Sequence, residues 1–400
     1  MKEKIVNLIA DHVEGMTAEE IATFIEIPPK QELGDYAFPC FRLAKTMHKA
    51  PNLIAADIKE AIGDVDFLDK IDVQGAYLNF FVKKDIFVQT MIEAALKDNF
   101  GGSDEGADKV ICIDYSSPNV AKNFHVGHLR TTIIGNSLYK IYSKLGYKVI
   151  RINHLGDWGT QFGKLIVAYK NWGTKEAVEK DGVAELMRLY VKFHEEADKN
   201  PELVDEARAW FSKMEHGDEE ALSIWQWFKD ISLVEYKRTY DLLGMDFDYY
   251  LGESFYRDKC QDVVDQLTNA NLLKESEGAM IVDLSDYDMA PCIVTKKDGS
   301  SIYATRDLAA IFYRKNTYHF TKCLYVTGQE QKLHFAQVFK VVELLGNDWA
   351  KDSLVHIPYG LVSLEGAKLS TRSGNIIYAE DILHDAIKKS FEIRKESKPS

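Results

Sequence analysis

The order of apolar and polar residues predicts a small first domain. Apolar side chains recur at helical spacing between Ile5 and Val13, and they alternate with polar side chains between Ile71 and Phe80. Spacing of three to four residues predicts a helix, and alternation predicts strands. The run from Gly101 to Gly106 consists of small and polar residues, which predicts a linker. We therefore predict a small α+β domain over residues 1–105.

A different pattern follows the linker. The short apolar run from Val110 to Ile113 is typical of a buried parallel strand. A helix is predicted over 125–145, ended by Gly146, and another strand is predicted over 148–152. Strand, helix and strand in this order form a βαβ unit, which is half of a nucleotide-binding doubly wound sheet.

Strands and helices alternate again further along the chain. Residues 170–246 are charged and helical in pattern, and a second strand, helix and strand are predicted over 324–327, 331–345 and 354–362. The fold class predicted over 106–376 is therefore α/β, a doubly wound Rossmann-type domain with a helical insertion. Residues 377–400 read as the start of a helical C-terminal region, and we expect this region to be truncated.

The composition of the chain limits which partners and which cellular compartment we expect for the protein. The formal net charge is −13, so any binding of nucleic acid must depend on local basic patches. The five cysteines are isolated from one another, which predicts neither a zinc site nor disulfides and suits a reducing cytoplasm. The N-terminus lacks the apolar stretch of a signal peptide, and no apolar run is long enough to span a membrane.

The first candidate for chemistry is the sequence His125-Val126-Gly127-His128. Two histidines three residues apart share one face of a helix. At a helix start they lie beside unpaired backbone N–H groups and the positive end of the helix dipole, which together favour phosphate. An isolated motif of this length is more often a pair of surface or metal-binding histidines, but its position after a strand and loop favours the phosphate site.

The second candidate is the stretch from Gly366 to Asn375. It is rich in small residues and carries Lys368 and Arg372, so it could form a mobile cationic loop over a triphosphate. Taken alone, it would be a solvated basic turn. Together the two stretches resemble the paired "HIGH" and "KMSKS" signatures of class I aminoacyl-tRNA synthetases, here as His125 to His128 and Lys368 to Arg372.

Longer stretches resemble one family of that class, the arginyl-tRNA synthetases. They are residues 117–135 around the first motif, His154 to Gly163 with Asp157-Trp158-Gly159, Tyr303 to Asp307, and Gln331 to Gln337. The resemblance implies activation of arginine by ATP and transfer to the 3′ end of tRNA(Arg). It also implies that the first domain contacts the tRNA elbow, and it leads us to expect a cytoplasmic monomer.

The resemblance implies an arginine pocket and an ATP site. Arginine would be bound by Asp114, Asn119, Tyr303, Asp307 and Gln331, with Asp307 as the partner of the guanidinium, because carboxylates match its geometry. ATP, accompanied by Mg²⁺, would be bound by His125, Gly127, His128, Lys368 and Ser370. We expect His125, His128, Lys122 and Lys368 to be the catalytic residues, acting by position and charge without a protein nucleophile.

The chain departs from the general signature at two positions. Thr371 stands where the class has a second lysine, and the resemblance implies that Lys122 replaces it. Ser373 also stands where the family often has a lysine, which puts the strength of loop closure in doubt.

Three other interpretations remain open. One is a catalytically silent paralogue that binds tRNA, although the intact Lys122, His125 and His128 argue against it. The others are a smaller adenylyltransferase and a synthetase for another amino acid; Asp114 and Asp307 favour a cationic substrate. The family normally continues into a helical domain that binds the anticodon, so we expect a chain without it to turn over slowly.

Overall fold

The computed structural model describes residues 1–13, 15–296, 302–360, 363–364, 367–368 and 378–396. Within them the chain divides into two compact units, Met1–Gly101 and Gly102–Ser400. The division falls in the linker predicted from the sequence. No helix among the described residues is long and apolar enough to cross a bilayer.

The first unit packs helices against a small antiparallel sheet, in agreement with the predicted α+β class. The strands lie in the order β1-β3-β2, and the core contains Ile5, Phe38, Ile54 and Phe80. Thr17 caps helix α2 through a reciprocal capping box with Glu20. The elements are α1 (Lys2–Ala10), α2 (Ala18–Phe24), β1 (Tyr36–Pro39), α3 (Ala44–Met47), α4 (Pro51–Ile62), β2 (Leu68–Gln74), β3 (Tyr77–Val82) and α5 (Lys84–Ala95).

The second unit begins with the predicted βαβ module, which the structure confirms. After the first two strands the chain enters a helical insertion and returns to a short third strand. The elements are β4 (Val110–Asp114), α6 (Val126–Lys144), β5 (Lys148–Asn153), α7 (Thr160–Trp172), α8 (Lys175–Asp181), α9 (Val183–Ala197), α10 (Glu202–Glu215), α11 (Glu219–Leu242) and β6 (Tyr249–Tyr250). Amphipathic patterning of these helices gives the insertion its own core, centred on Phe162, Leu189, Phe193 and Phe228.

The remaining elements complete the sheet and add a small antiparallel sheet beside it. They are α12 (Glu253–Tyr256), α13 (Cys260–Asn269), β7 (Leu273–Ser276), β8 (Ala279–Val282), β9 (Cys292–Thr295), α14 (Tyr303–Tyr318), β10 (Lys322–Gly328), α15 (Lys332–Leu344), α16 (Ala350–Ser353), β11 (Leu354–Tyr359), β12 (Ser363–Leu364), β13 (Ala367–Lys368) and α17 (Ala379–Glu396). The antiparallel sheet has the order β7-β8-β9, and Gln337 of α15 donates to the carbonyl of Ala290 beside it.

The main sheet has five parallel strands in the order β11-β10-β4-β5-β6. The chain runs outward from β4 through β5 to β6, and then outward on the other side from β10 to β11. The order therefore reverses between β4 and β10. In open sheets of this kind, ligands bind in the crevice at the carboxyl ends of the strands where the order reverses.

Candidate active site

The loop after β4 carries the first motif to the crevice. Three non-glycine residues in it have left-handed backbone conformations, Ser116 (φ 71°), Ser117 (φ 48°) and Ala121 (φ 58°). Such conformations cost roughly 1–3 kcal/mol each and persist only where surrounding contacts hold them. Here the amide of Ser117 donates to Asn153 Oδ1 at 3.1 Å and that of Ser116 to Thr131 Oγ1 at 3.2 Å.

The two histidines of the motif cap helix α6 and stack on each other. The amide of Gly127 donates to Nδ1 of His125 at 3.1 Å, and the amide of His125 donates to Nδ1 of His128 at 3.3 Å. The ring centroids are 3.9 Å apart. Since each Nδ1 accepts a hydrogen bond, the proton of each neutral ring lies on Nε2, and both Nε2–H groups are donors.

Both histidines are neutral at physiological pH. Burial, reinforced by His125 and Lys122, lowers the pKa of His128 to about 3. Burial and the charge of Lys122 also lower the pKa of His125. The structure therefore brings the predicted Lys122, His125 and His128 together. Two neutral donors and one cation at a helix start suit a polyphosphate.

The position of the His125 ring leaves no room for a side chain at residue 127, so this residue must be glycine. A Cβ atom at Gly127 would lie 2.9 Å from Cε1 and 3.0 Å from Nδ1 of the His125 ring. That is closer than real Cβ contacts, so any side chain there would displace the imidazole. The glycine therefore keeps the capping histidine in place, which is a reason the sequence did not provide.

The predicted arginine-pocket residues lie at the carboxyl ends of β4 and β10 and at the start of α14. Asn119 and Gln331 are exposed, and Tyr303 is 68% exposed, so their side chains are accessible to a ligand. Asp307 lies one helical turn after Tyr303, and its Oδ2 is 2.6 Å from Nε2 of His334. His334 belongs to the stretch that begins at Gln331.

Asp114 is more enclosed than the other residues of the predicted pocket. Its Oδ2 lies 2.8 Å from Nη2 of Arg314, whose side chain is fully buried, and Ser117 Oγ donates to Oδ1 at 3.0 Å. Breaking such a buried pair by removing one partner costs about 3–5 kcal/mol, because the other charge is stranded. Both carboxylate oxygens of Asp114 therefore already have partners within the protein.

Two further residues, His154 and Glu253, interact with these carboxylates, and the sequence analysis gave neither of them a role. Nη2 of Arg314 also lies 3.2 Å from Nδ1 of His154, whose ring stacks on Tyr256. Burial lowers the pKa of His154 although Asp114 opposes this. Glu253 is buried, and its carboxylate lies 3.8 Å from Nε of Arg306.

Glu253 is also the most perturbed carboxyl near the pocket. Burial raises its pKa to about 7, with Asp307 and Asp157 adding to the shift and Arg306 opposing it. A carboxyl that is desolvated and surrounded by other carboxylates would be stabilised by an incoming cation. His154 lies within one of the quoted stretches, whereas no pattern in the sequence marks Glu253.

The Asp157-Trp158-Gly159 stretch has a structural role. Asp157 is fully buried and accepts from Lys229 Nζ at 2.6 Å, from Ser254 N at 2.8 Å and from Ser254 Oγ at 2.7 Å. Trp158 is buried beside Phe211 and Trp225. Trp158 therefore packs in the core, and Asp157 ties the loop after β5 to helices α11 and α12.

The second motif is described only in part. The backbone of β13, which includes Lys368, pairs antiparallel with β12. The side chain of Lys368 and the whole of Ser370, Thr371, Arg372 and Ser373 lie outside the described residues. Among the residues that are described, no group of three or more His, Cys, Asp and Glu side chains is arranged to hold a metal ion.

Comparisons with known proteins agree with the sequence resemblance. Residues 90–400 match the family model "tRNA synthetases class I (R), catalytic domain", and residues 2–82 match "Arginyl tRNA synthetase N terminal domain". The chain is 56% identical over its full length to the arginine–tRNA ligase of Alkaliphilus metalliredigens, covering 71% of that protein. It is 55% identical to that of Clostridioides difficile, with 98% of the chain and 69% of the relative covered.

Solved structures support the same fold. The arginyl-tRNA synthetase of Thermus thermophilus has a TM-score of 0.69 at 20% sequence identity, with all of this chain and 72% of that chain covered. The enzyme of Plasmodium falciparum has a TM-score of 0.63 at 23% identity, with 98% of this chain and 70% of that chain covered. At these identities the structures support the fold alone.

Proposed function

The chain belongs to the arginyl-tRNA synthetases, a class I family, and from this premise we infer that it activates arginine with ATP and transfers it to tRNA(Arg). One observation in the site supports this most. Neutral imidazole donors lie at the start of α6, the helix that follows β4, while Asp114 at the end of β4 and Asp307 both act on His154, and Asp307 also acts on Glu253. A site with a phosphate end and a carboxylate end suits a substrate pair of which one is a polyphosphate and the other a cation.

We propose that Asp307 and Glu253 bind the guanidinium. Their present partners are His334 and Arg306, at 2.6 Å and 3.8 Å. The substrate cation would compete for these carboxylates, and planar N–H groups match carboxylate oxygens better than a point charge does. Asn119 and Gln331 would hold the α-amino and α-carboxylate groups, and the exposed Tyr303 would cover the side chain.

At the other end, Lys122, His125 and His128 would bind the phosphates of ATP. The first half-reaction forms a bond between a carboxylate oxygen of arginine and the α-phosphorus, and breaks the bond to pyrophosphate, which leaves. Negative charge grows on the α-phosphoryl oxygens as this happens. Preformed donors such as the Nε2–H groups stabilise that charge without reorganising.

Mg²⁺ would neutralise the phosphates and would be bound through them. The described residues at the start of α6 provide imidazoles and an ammonium group but no carboxylate cage. This fits Mg²⁺, which keeps several waters and usually binds through substrate phosphates. In the second half-reaction a ribose hydroxyl at the tRNA 3′ end attacks the arginyl carbonyl; AMP leaves, and the hydroxyl proton is released.

ATP–pyrophosphate exchange across all amino acids, with and without tRNA(Arg), tests the proposal. We expect exchange with arginine alone among the amino acids. Exchange with lysine instead of arginine would agree with a pocket that binds cations, but it would contradict arginine as the substrate. Absence of exchange under both conditions, with tRNA binding retained, would instead support a silent tRNA-binding paralogue.

A further inference from the structure

One short turn connects the two ends of the site. It runs from Asn119 to Lys122, so its first residue belongs to the proposed arginine pocket and its last to the proposed phosphate site. The backbone of this turn pairs with Gly156, through Val120 N to Gly156 O at 3.1 Å and Gly156 N to Pro118 O at 3.1 Å. Ala121 within it has a left-handed conformation, with φ 58°.

The hydroxyl of Tyr236 on helix α11 meets both ends of this turn. It lies 2.6 Å from the carbonyl oxygen of Asn119 and 2.7 Å from that of Lys122. The side chain is fully buried, and its ring packs against Phe124. A hydroxyl has one proton, so two carbonyls converge on a single donor. One oxygen atom therefore fixes the separation of residues 119 and 122.

Two other residues on the same face of α11 also hold the loop after β4 in place. Ser232, four residues before Tyr236, accepts from the amide of Ala121 at 3.0 Å and donates to the carbonyl of Phe228 at 2.7 Å. Tyr240, four residues after it, lies 2.9 Å from Asn153 Nδ2 and 2.7 Å from Ser116 Oγ. Spacing of four residues places these side chains on one face of α11, so the helical insertion supports the whole loop after β4.

We propose that Tyr236 is a positioning residue for adenylate formation. Its hydroxyl sets the spacing between the residue that orients arginine and the residue that binds the phosphates, and so aligns the attacking carboxylate with the α-phosphorus. The inference rests on the proposed function, because the roles of Asn119 and Lys122 belong to it. Ground-state binding of each substrate depends on one end of the turn, whereas alignment depends on both.

The substitution Tyr236→Phe removes only the oxygen atom and leaves the ring against Phe124. We expect kcat for arginine-dependent pyrophosphate exchange to fall on the order of tenfold to a hundredfold, the cost of a displacement near 1 Å. The KM values for arginine and ATP should each change by about threefold or less, since uniform binding is retained. Tyr250→Phe is the matched control, because the hydroxyl that it loses donates to Asp246 rather than to the turn.

Two outcomes would overturn the proposal. The first is a Tyr236→Phe protein with a lower melting temperature but an unchanged kcat per folded molecule. The second is a change confined to the KM of one substrate. If Tyr236→Phe does not fold, Ser232→Ala gives the second variant; we expect the same loss of kcat with retained KM values, and unchanged kinetics would overturn the proposal.

Failure of the proposed function would look different, because the unsubstituted protein would then show no exchange with arginine. Calorimetry still tests Tyr236 in that case. Arginine is titrated with and without saturating non-hydrolysable ATP analogue, and the ratio of the two affinities measures how strongly the sites are coupled. We expect this ratio to move towards one in Tyr236→Phe and to stay unchanged in Tyr250→Phe. An unchanged ratio in both would overturn the proposal.

Discussion

The two ends of the site are built from opposite kinds of group. At the carboxylate end, Asp114 lies beside Arg314, Asp307 lies beside His334, and Glu253 lies beside Arg306. At the phosphate end, the hydrogen-bonding groups are imidazoles that burial and Lys122 keep neutral. One end thus depends on carboxyl groups that already have partners, and the other depends on dipoles.

This difference follows from what each substrate carries. A guanidinium has one permanent positive charge, and only a carboxylate provides a strong and specific partner for it. Because an unpaired buried carboxylate is costly, each one has a cationic or imidazole partner nearby before substrate binds. A triphosphate brings several charges and its own metal. Neutral donors placed where charge grows favour the transition state over the bound ATP.

The largest effect should come from removing a charge at the carboxylate end. We expect Asp307→Asn to weaken arginine binding on the order of a thousandfold, since losing one partner of a desolvated charge pair costs several kcal/mol. ATP affinity should change little, because the histidines and Lys122 remain. Titration calorimetry with each substrate measures both. Asp283→Asn, in an exposed pair with Lys274, is the control; an arginine affinity in Asp307→Asn equal to that of the control would contradict the assignment of Asp307 to the pocket.

The phosphate end should respond through rate rather than affinity. We expect His128→Asn to lower kcat for pyrophosphate exchange on the order of a hundredfold, as when one donor to a developing anion is lost. The KM for ATP should change far less, because a neutral donor adds little to ground-state binding. His216→Asn, at an exposed helix end, is the matched control. A loss of ATP affinity with unchanged kcat would contradict the contrast between the ends.

The sequence predicted the fold because its periodicities agree with its topology. The strands β4 and β5 and the helix α6 between them appear within a residue or two of their predicted bounds. By contrast, β7 and β8 were not predicted. The strand β7 has the sequence LKES and lacks both an apolar run and clear alternation, whereas β8 is a run of four apolar residues, too short for periodicity to tell a strand from a helical segment.

Within the site, the residues that belong to a sequence motif could be predicted, whereas the side chains that contact them could not. His125 and His128 belong to one motif. By contrast, Arg314, Glu253 and Tyr236 are separated by many residues along the chain from the groups that they contact. Their roles depend on burial and on side chains meeting across the sheet, which no local pattern contains. The pKa of Glu253, for example, is raised first by burial.

The raised pKa of Glu253 predicts a pH dependence confined to the carboxylate end. A bound cation favours the ionised carboxyl, so arginine binding should release a proton, and affinity should rise with pH until about pH 7, the pKa of the free carboxyl. Below pH 7 we expect affinity to fall by up to about tenfold per pH unit. Calorimetry from pH 5.5 to 8 tests this, and Glu253→Gln should flatten the slope. If arginine affinity in Glu253→Gln depended on pH as steeply as in the unsubstituted protein, the pH dependence would belong to another group.

The smallest effect should come from a single methyl group that touches only Asn119. A Cβ atom at Gly156 would lie 2.0 Å from Asn119 Oδ1, so that side chain must rotate away in Gly156→Ala. The two closest atoms, Oδ1 and Cγ, belong to a side chain that can rotate, and the Cα atom of Asn119 at 3.3 Å needs only a small shift, so the protein should still fold. Because one hydrogen bond to the substrate is lost, we expect the KM for arginine to rise by about tenfold, with the KM for ATP unchanged. Gly360→Ala, where the nearest atom is Arg130 Nη1 at 3.9 Å, is the control. An unchanged KM for arginine in Gly156→Ala would mean that Asn119 does not contact the amino acid, and it would restrict the carboxylate end to the charged residues.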